Sequence, residues 1–114
     1  MAIPHAKSSE VIDIRPLGQR FKDKVTSTLV KTDALEVLRL VLPAGGVVGR
    51  HQTPGEITVQ CLEGRVIFDA NGVDRELSAG EMLFLDGGTP HALRAVEDSS
   101  LLVTILLQHK ASTT

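Results

Sequence analysis

At 114 residues the chain has the length of one domain, one that removes roughly two-thirds of its unfolded surface from water. Its 42% hydrophobic content is largely aliphatic, with three Phe and neither Trp nor Tyr, so rings for stacking bases or sugars are scarce. Twelve basic residues and fourteen acidic ones, interspersed to a net charge of −2, offer no basic stripe to a phosphate backbone and exclude nucleic acid as a partner.

Residues 1–24 read as an N-terminal arm. Its first ten positions are polar and lack the apolar core of a secretory signal, so the chain reads as cytoplasmic. Within the arm, Val11, Ile12 and Ile14 ahead of Pro16 suit a short edge strand, and residues 14–23 suit one helical turn. From Val25 onward the pattern changes. Strand-like segments cover 25–31, 35–42, 57–62, 65–69, 73–77, 82–85, 92–96 and 101–108, rich in Val, Leu and Ile. Between them stand turn-forming clusters, among them Pro43-Ala44-Gly45-Gly46, Glu63-Gly64, Asp86-Gly87-Gly88 and Asn71-Gly72. Asn and Gly both tolerate the positive φ of a two-residue type I′ turn, which predicts a hairpin over 65–77.

Many short strands at this spacing predict an all-β sandwich or barrel over 25–110, followed by a tail at 111–114. Segment 35–42 is apolar on both faces: Leu38, Leu40 and Leu42 on one, Leu35, Val37 and Val41 around Arg39 on the other. Segment 101–107 is similar. An isolated small barrel needs one apolar face per strand, so the surplus predicts a homodimer, with coverage by a terminal segment as the competing explanation. The run 101–107 is interrupted by Thr104 and is far shorter than the ~20 residues that cross a bilayer as a helix, so no membrane partner is expected. Cys61, the single cysteine, has no disulfide partner within the chain and reads as a small buried hydrophobe.

Two stretches carry more specific information. Residues 45–64 read GGVVGRHQTPGEITVQCLEG and residues 80–94 read GEMLFLDGGTPHALR. Gly45, His51 and Gly64 in the first, and Gly80, Gly88 and His91 in the second, match in order and spacing the two sequence motifs of the cupin family, which the chain resembles. The resemblance implies a single-domain double-stranded β-helix, the jelly-roll barrel, with both histidines pointing inward. It also implies a small-molecule ligand and a divalent transition metal, iron, manganese, nickel, copper or zinc, for which neutral imidazoles and a carboxylate are suitable donors.

The chain departs from the family pattern at three places. Thr53 stands where the first motif has its second histidine, Ile57 where it has its glutamate, and Asp86 where the second motif has a proline. Only His51 and His91 therefore carry over: they are the candidate metal residues or, in the competing reading, hydrogen-bonding groups of a metal-free pocket, and with Thr53 and Glu56 they are the expected ligand-binding residues. Glu56 stands one residue before the family's glutamate position and so on the opposite face, reaching inward only if Pro54-Gly55 changes the register; it is then the best candidate for a third metal ligand, with His109 a remote one. Ile57, Val59 and Cys61 share a face with His51 if the strand is continuous, which predicts an apolar pocket floor. Gly64 and Gly88 are expected to supply positive φ at the turns that join the motif strands. Arg50 and Arg94 flank the histidines and are placed to receive an anion at the barrel mouth. Three functions compete: a non-enzymatic binding module, a metal-dependent enzyme of the oxygenase kind, and a metal-free isomerase with His51 or His91 as general base.

Overall fold

In the computed structural model, which describes residues 5–107, nine strands follow the arm. They are β1 (Ser27–Lys31), β2 (Leu35–Leu42), β3 (Val47–His51), β4 (Ile57–Glu63), β5 (Arg65–Ala70), β6 (Val73–Ser78), β7 (Met82–Leu85), β8 (His91–Ala95) and β9 (Ser99–Leu106). All pair antiparallel, in a five-stranded sheet of order β1-β2-β9-β4-β7 and a four-stranded sheet of order β3-β8-β5-β6. The two sheets close around one core as a jelly-roll barrel.

The period-2 alternation of the sequence decides what lies inside. Ile57, Val59 and Cys61 of β4, Val66 and Phe68 of β5, Leu93 and Ala95 of β8 and Leu101 of β9 form the buried cluster, joined by Leu42, Leu77 and Leu85. Each large side chain so buried contributes about 1.5–3 kcal/mol. The hairpin at Asn71-Gly72 forms as expected: φ is 52° and 86° at these residues, and Arg65 pairs with Ser78 through to Ala70 with Val73. Gly64, at φ 87°, also sits where a Cβ would collide with the Asp98 carbonyl and the Ser99 side chain, so only glycine allows β4 to turn into β5.

The structure corrects several expected boundaries; β1 begins at Ser27 and β8 runs from His91 to Ala95. Val11, Ile12 and Ile14 form no strand; the arm instead runs over the outer face of the five-stranded sheet. β3 was not expected at all, because its sequence VVGRH carries a glycine at its centre and a charged residue beside it. β9 begins at Ser99, earlier than its aliphatic run suggests. The helical turn near 14–23 is realised as a 3-10 helix at Gly18–Asp23. The tail at 111–114, Gln108 and His109 lie outside the described residues.

The arm is anchored by two charged side chains on the outer face. Arg39 of β2 is only 7% exposed, and its guanidinium donates to the Arg15 carbonyl at 2.9 Å and the Asp13 carbonyl at 3.1 Å. The Glu63 carboxylate accepts hydrogen bonds from the Leu17 amide at 2.8 Å, the Gly18 amide at 3.0 Å and the Ser100 hydroxyl at 2.6 Å. Part of the second apolar face of β2 and β9 is thus covered by the chain's own N-terminal segment. No helix among the described residues is long and apolar enough to cross a membrane.

Candidate functional site

A cavity of about 150 Å³ opens between the two sheets, with an almost wholly apolar wall. Leu38 and Leu40 of β2, Ile57 and Val59 of β4, and Val103 and Ile105 of β9 form one side; Val48, Phe68 and Leu93 form the other. The polar side chains that line it are His51, Thr53 and His91.

The two histidines meet by register. His51 on β3 is the direct cross-strand partner of His91 on β8, while Val48 is the partner of Leu93. Three positions on β3 therefore span two on β8, which is a β-bulge at Gly49 and Arg50. Simple alternation would put residues 48 and 51 on opposite faces; the bulge lets both line the cavity. The ring centroids lie 4.2 Å apart with planes at 61°, an edge-to-face contact, and the Phe68 ring stacks on His91 at 5.7 Å and 14°. His91 is 4% exposed, whereas His51 stands at the exposed mouth.

Each imidazole is held the same way. Nδ1 of His51 lies 2.9 Å from the Gly49 carbonyl oxygen, and Nδ1 of His91 lies 2.9 Å from the Thr89 carbonyl oxygen. A carbonyl oxygen only accepts, so Nδ1 carries the proton in both rings and Nε2 is the unprotonated nitrogen of the neutral form. Burial pushes the His91 pKa below the usual imidazole range; the Thr89 carbonyl opposes this and the neighbouring His51 reinforces it. His91 is accordingly neutral at pH 7.

The loops of the two motifs are tied together at the mouth. The Gly88 amide donates to the Thr53 carbonyl at 2.7 Å, and neither Gly55 nor Gly87 has room for a Cβ, the first against Leu106 and the second against Pro54. Gly88 has the positive φ expected of it, 81°. Thr53 is half-buried and lines the cavity, its hydroxyl donating to the Gly55 carbonyl at 3.3 Å.

Other expected site residues lie elsewhere. Glu56 is exposed and does not line the cavity, because Ile57 holds the inward position and neighbours in an extended chain point to opposite sides; the Pro54-Gly55 turn does not shift that register. Arg50 pairs with Asp69 at 3.0 Å, and Arg94 lies on the outer surface beside Val47 and Ile67, so neither arginine lines the cavity. Cys61 is buried deeper in the core, where burial raises its thiol pKa and Sγ faces the Glu63 carbonyl at 3.4 Å. Ile57 and Val59 do supply apolar wall, but on β4 of the opposite sheet and not on a strand continuous with His51. Sequence reasoning missed Val48 and Phe68 as parts of the site; Phe68 was legible as the central residue of an alternating strand, whereas Val48 depended on the unrecognised β3.

The donor set bears on a metal. Among the described residues no group of three His, Cys, Asp or Glu side chains comes together, and the histidine pair supplies two nitrogens where catalytic sites ordinarily have three protein ligands. The pair alone does not fit the full metal site of the family pattern.

Two histidines converging inside a two-sheet barrel, on strands from the two motifs, agree with what comparison with known proteins finds. The cupin domain family matches residues 38–107. The chain belongs to the cupin family. An oxalate-binding protein of Thermotoga maritima is 35% identical to this cupin over 72 residues, which are 60% of this chain and 60% of that protein. The chain thus matches less than two-thirds of that relative's length. Among solved structures, a protein of unknown function from Streptococcus pyogenes superposes with a TM-score of 0.76 at 26% identity, covering 96% of both chains. An RmlC-like cupin from Desulfovibrio desulfuricans gives 0.68 at 28% identity, covering 90% of this chain and 97% of its own.

Proposed function

We propose that this cupin binds a small molecule in the barrel interior, with His51 and His91 as its polar contacts and the aliphatic wall as its specificity surface. The observation that carries this reading is the pairing of two imidazoles, each fixed through Nδ1 to a backbone carbonyl, at the head of an apolar cavity. The oxalate-binding relative supports small-molecule binding as the class of function. The test is a fragment titration followed by NMR: binders shift the His91, Leu93 and Ile105 resonances together, and in His51→Ala polar fragments bind more weakly. A screen whose binders all perturb some other surface contradicts the reading.

A second reading has its own support. Metal-binding histidines almost always donate the non-ligating nitrogen to a carbonyl, carboxylate or water, and both rings here do so. In that reading His51 and His91 would be the two protein ligands of a divalent transition metal, short of the three that catalytic sites ordinarily have, and such an ion would supply Lewis-acid chemistry at the cavity head. The isomerase reading is weaker, since Glu56 does not stand behind either ring to orient it as a base.

For the assembly, we infer a homodimer through the part of the outer sheet face that the arm leaves bare. Met82 and Phe84 on β7, 64% and 56% exposed, and Leu106 on β9 carry apolar surface there. Light scattering at micromolar concentration checks this; a monomer, unchanged by Phe84→Glu, overturns it.

A further inference from the structure

We propose that the ligand of this cavity is a small neutral hydroxyl compound, a compact apolar body of about benzene size carrying one O–H donor, and not a carboxylate. The proposal rests on the binding reading above and narrows it to a chemical class.

Size comes first. A cavity of about 150 Å³ with Leu, Ile and Phe in its wall is of the volume that accepts a benzene ring. Phe68, stacked flat on His91, gives that ring an aromatic wall beside the polar head.

Charge comes second. None of the described residues lining the cavity is Asp, Glu, Lys or Arg. The arginines nearest in sequence are committed or turned away, Arg50 to Asp69 and Arg94 to the outer surface. An anion moved into this wall would meet no cation, and burying an unpaired charge is far more costly than burying a hydrogen-bonded hydroxyl.

Hydrogen-bond polarity decides the rest. In the neutral form His51 and His91 spend their Nδ1 protons on the Gly49 and Thr89 carbonyls, which leaves Nε2 as an acceptor on each ring. Thr53 spends its hydroxyl proton on the Gly55 carbonyl, which leaves its oxygen lone pairs. The three polar side chains of the cavity therefore all offer acceptors. A hydroxyl satisfies one of them by donation; a carboxylate or dicarboxylate, which only accepts, opposes all three.

The experiment uses chelator-treated protein, so that a bound metal does not choose the ligand, and four probes titrated by methyl NMR: phenol, toluene, benzoate and oxalate. Phenol is expected to shift the methyls of Leu93, Val103 and Ile105 and to bind about tenfold more tightly than toluene, the worth of one well-formed hydrogen bond. Benzoate and oxalate are expected to leave those methyls unmoved. In His51→Leu, at the exposed mouth, the preference for phenol over toluene falls to less than about threefold. His91→Gln gives a second reading of the same preference should His51→Leu lose its fold. Benzoate or oxalate binding more tightly than phenol, or toluene binding as well as phenol, overturns the hydroxyl class while leaving the cavity as a binding site. If none of the four moves the cavity methyls, this proposal falls and the binding reading loses its support with it.

Discussion

His51 faces His91 across β3 and β8 because β3 carries one residue more than β8 between the Val48–Leu93 pair and the histidine pair. The two rings share a ligand-facing role but not an environment: His91 lies within the core beneath Phe68, while His51 closes the exposed end. Binding and stability should therefore separate. His51→Ala is expected to change stability by less than about 0.5 kcal/mol, as exposed substitutions do, and His91→Ala to cost about 2–3 kcal/mol through the cavity it leaves. Both should weaken ligand binding to a similar degree. Urea denaturation alongside the fragment titration reads the two effects, and equal losses of stability would contradict the assigned environments.

Phe68 joins the fold to the site. It is among the largest fully buried side chains and makes the stacking contact with His91. Phe68→Ala is expected to cost about 3–5 kcal/mol, enough to threaten a small domain, whereas Phe68→Leu retains most of the volume and costs about 1–2 kcal/mol. The leucine variant is the informative one. It should stay folded by circular dichroism, lose the ring-current shift on the His91 protons and bind aromatic fragments less tightly.

The arm supplies a pH dependence whose direction follows from Glu63. Burial raises this carboxyl's pKa, but hydrogen bonds from Ser100, Leu17 and Gly18, with the Arg39 charge, outweigh that and hold it below the ordinary carboxylate range. Because the folded value is the depressed one, the unfolded chain binds the proton more readily. The stabilisation is then complete above the unfolded carboxylate pKa of about 4.3 and is lost as pH falls through the folded value. Glu63→Gln is expected to be less stable by about 1 kcal/mol at pH 7 and to show a shallower loss of stability on acidification. Thermal melts from pH 7 to 3 on both proteins check it; parallel curves would mean that Glu63 does not carry the dependence.

The alternation in Ile57, Val59 and Cys61, and the Asn71-Gly72 turn, are local signals, and the barrel they imply is the one that forms. The inward placement of His51 and His91 was legible from the two motifs. Glu56 was not resolved by the sequence, because whether Pro54-Gly55 shifts the register depends on how that loop packs against Gly87 and Leu106 in the folded chain. The same limit hid β3. A strand with a bulge breaks the period on which its recognition depends, and this bulge is what lets Val48 and His51 share one face. The second apolar face of β2 admitted two explanations, and the hydrogen bonds that Arg39 donates to the arm and Glu63 accepts from it account for part of it within one chain.

The metal question turns on Thr53, which lines the cavity where the family pattern has a second histidine. Thr53→His would bring a third imidazole to the mouth beside His51 and complete a three-nitrogen donor set of the kind that holds zinc or iron. With two histidines alone, wild-type protein is expected to take up zinc, manganese or ferrous iron weakly, with Kd in the micromolar range or above, about 8 kcal/mol or less of binding free energy. Thr53→His should tighten this by at least about tenfold, and adding His91→Ala should abolish the gain, since too few protein ligands would remain. Calorimetric titration of chelator-stripped protein separates the outcomes. Tight stoichiometric uptake by the wild type, lost in His51→Ala and His91→Ala alike, would show that a further ligand completes the site and would favour the metal reading over the metal-free pocket.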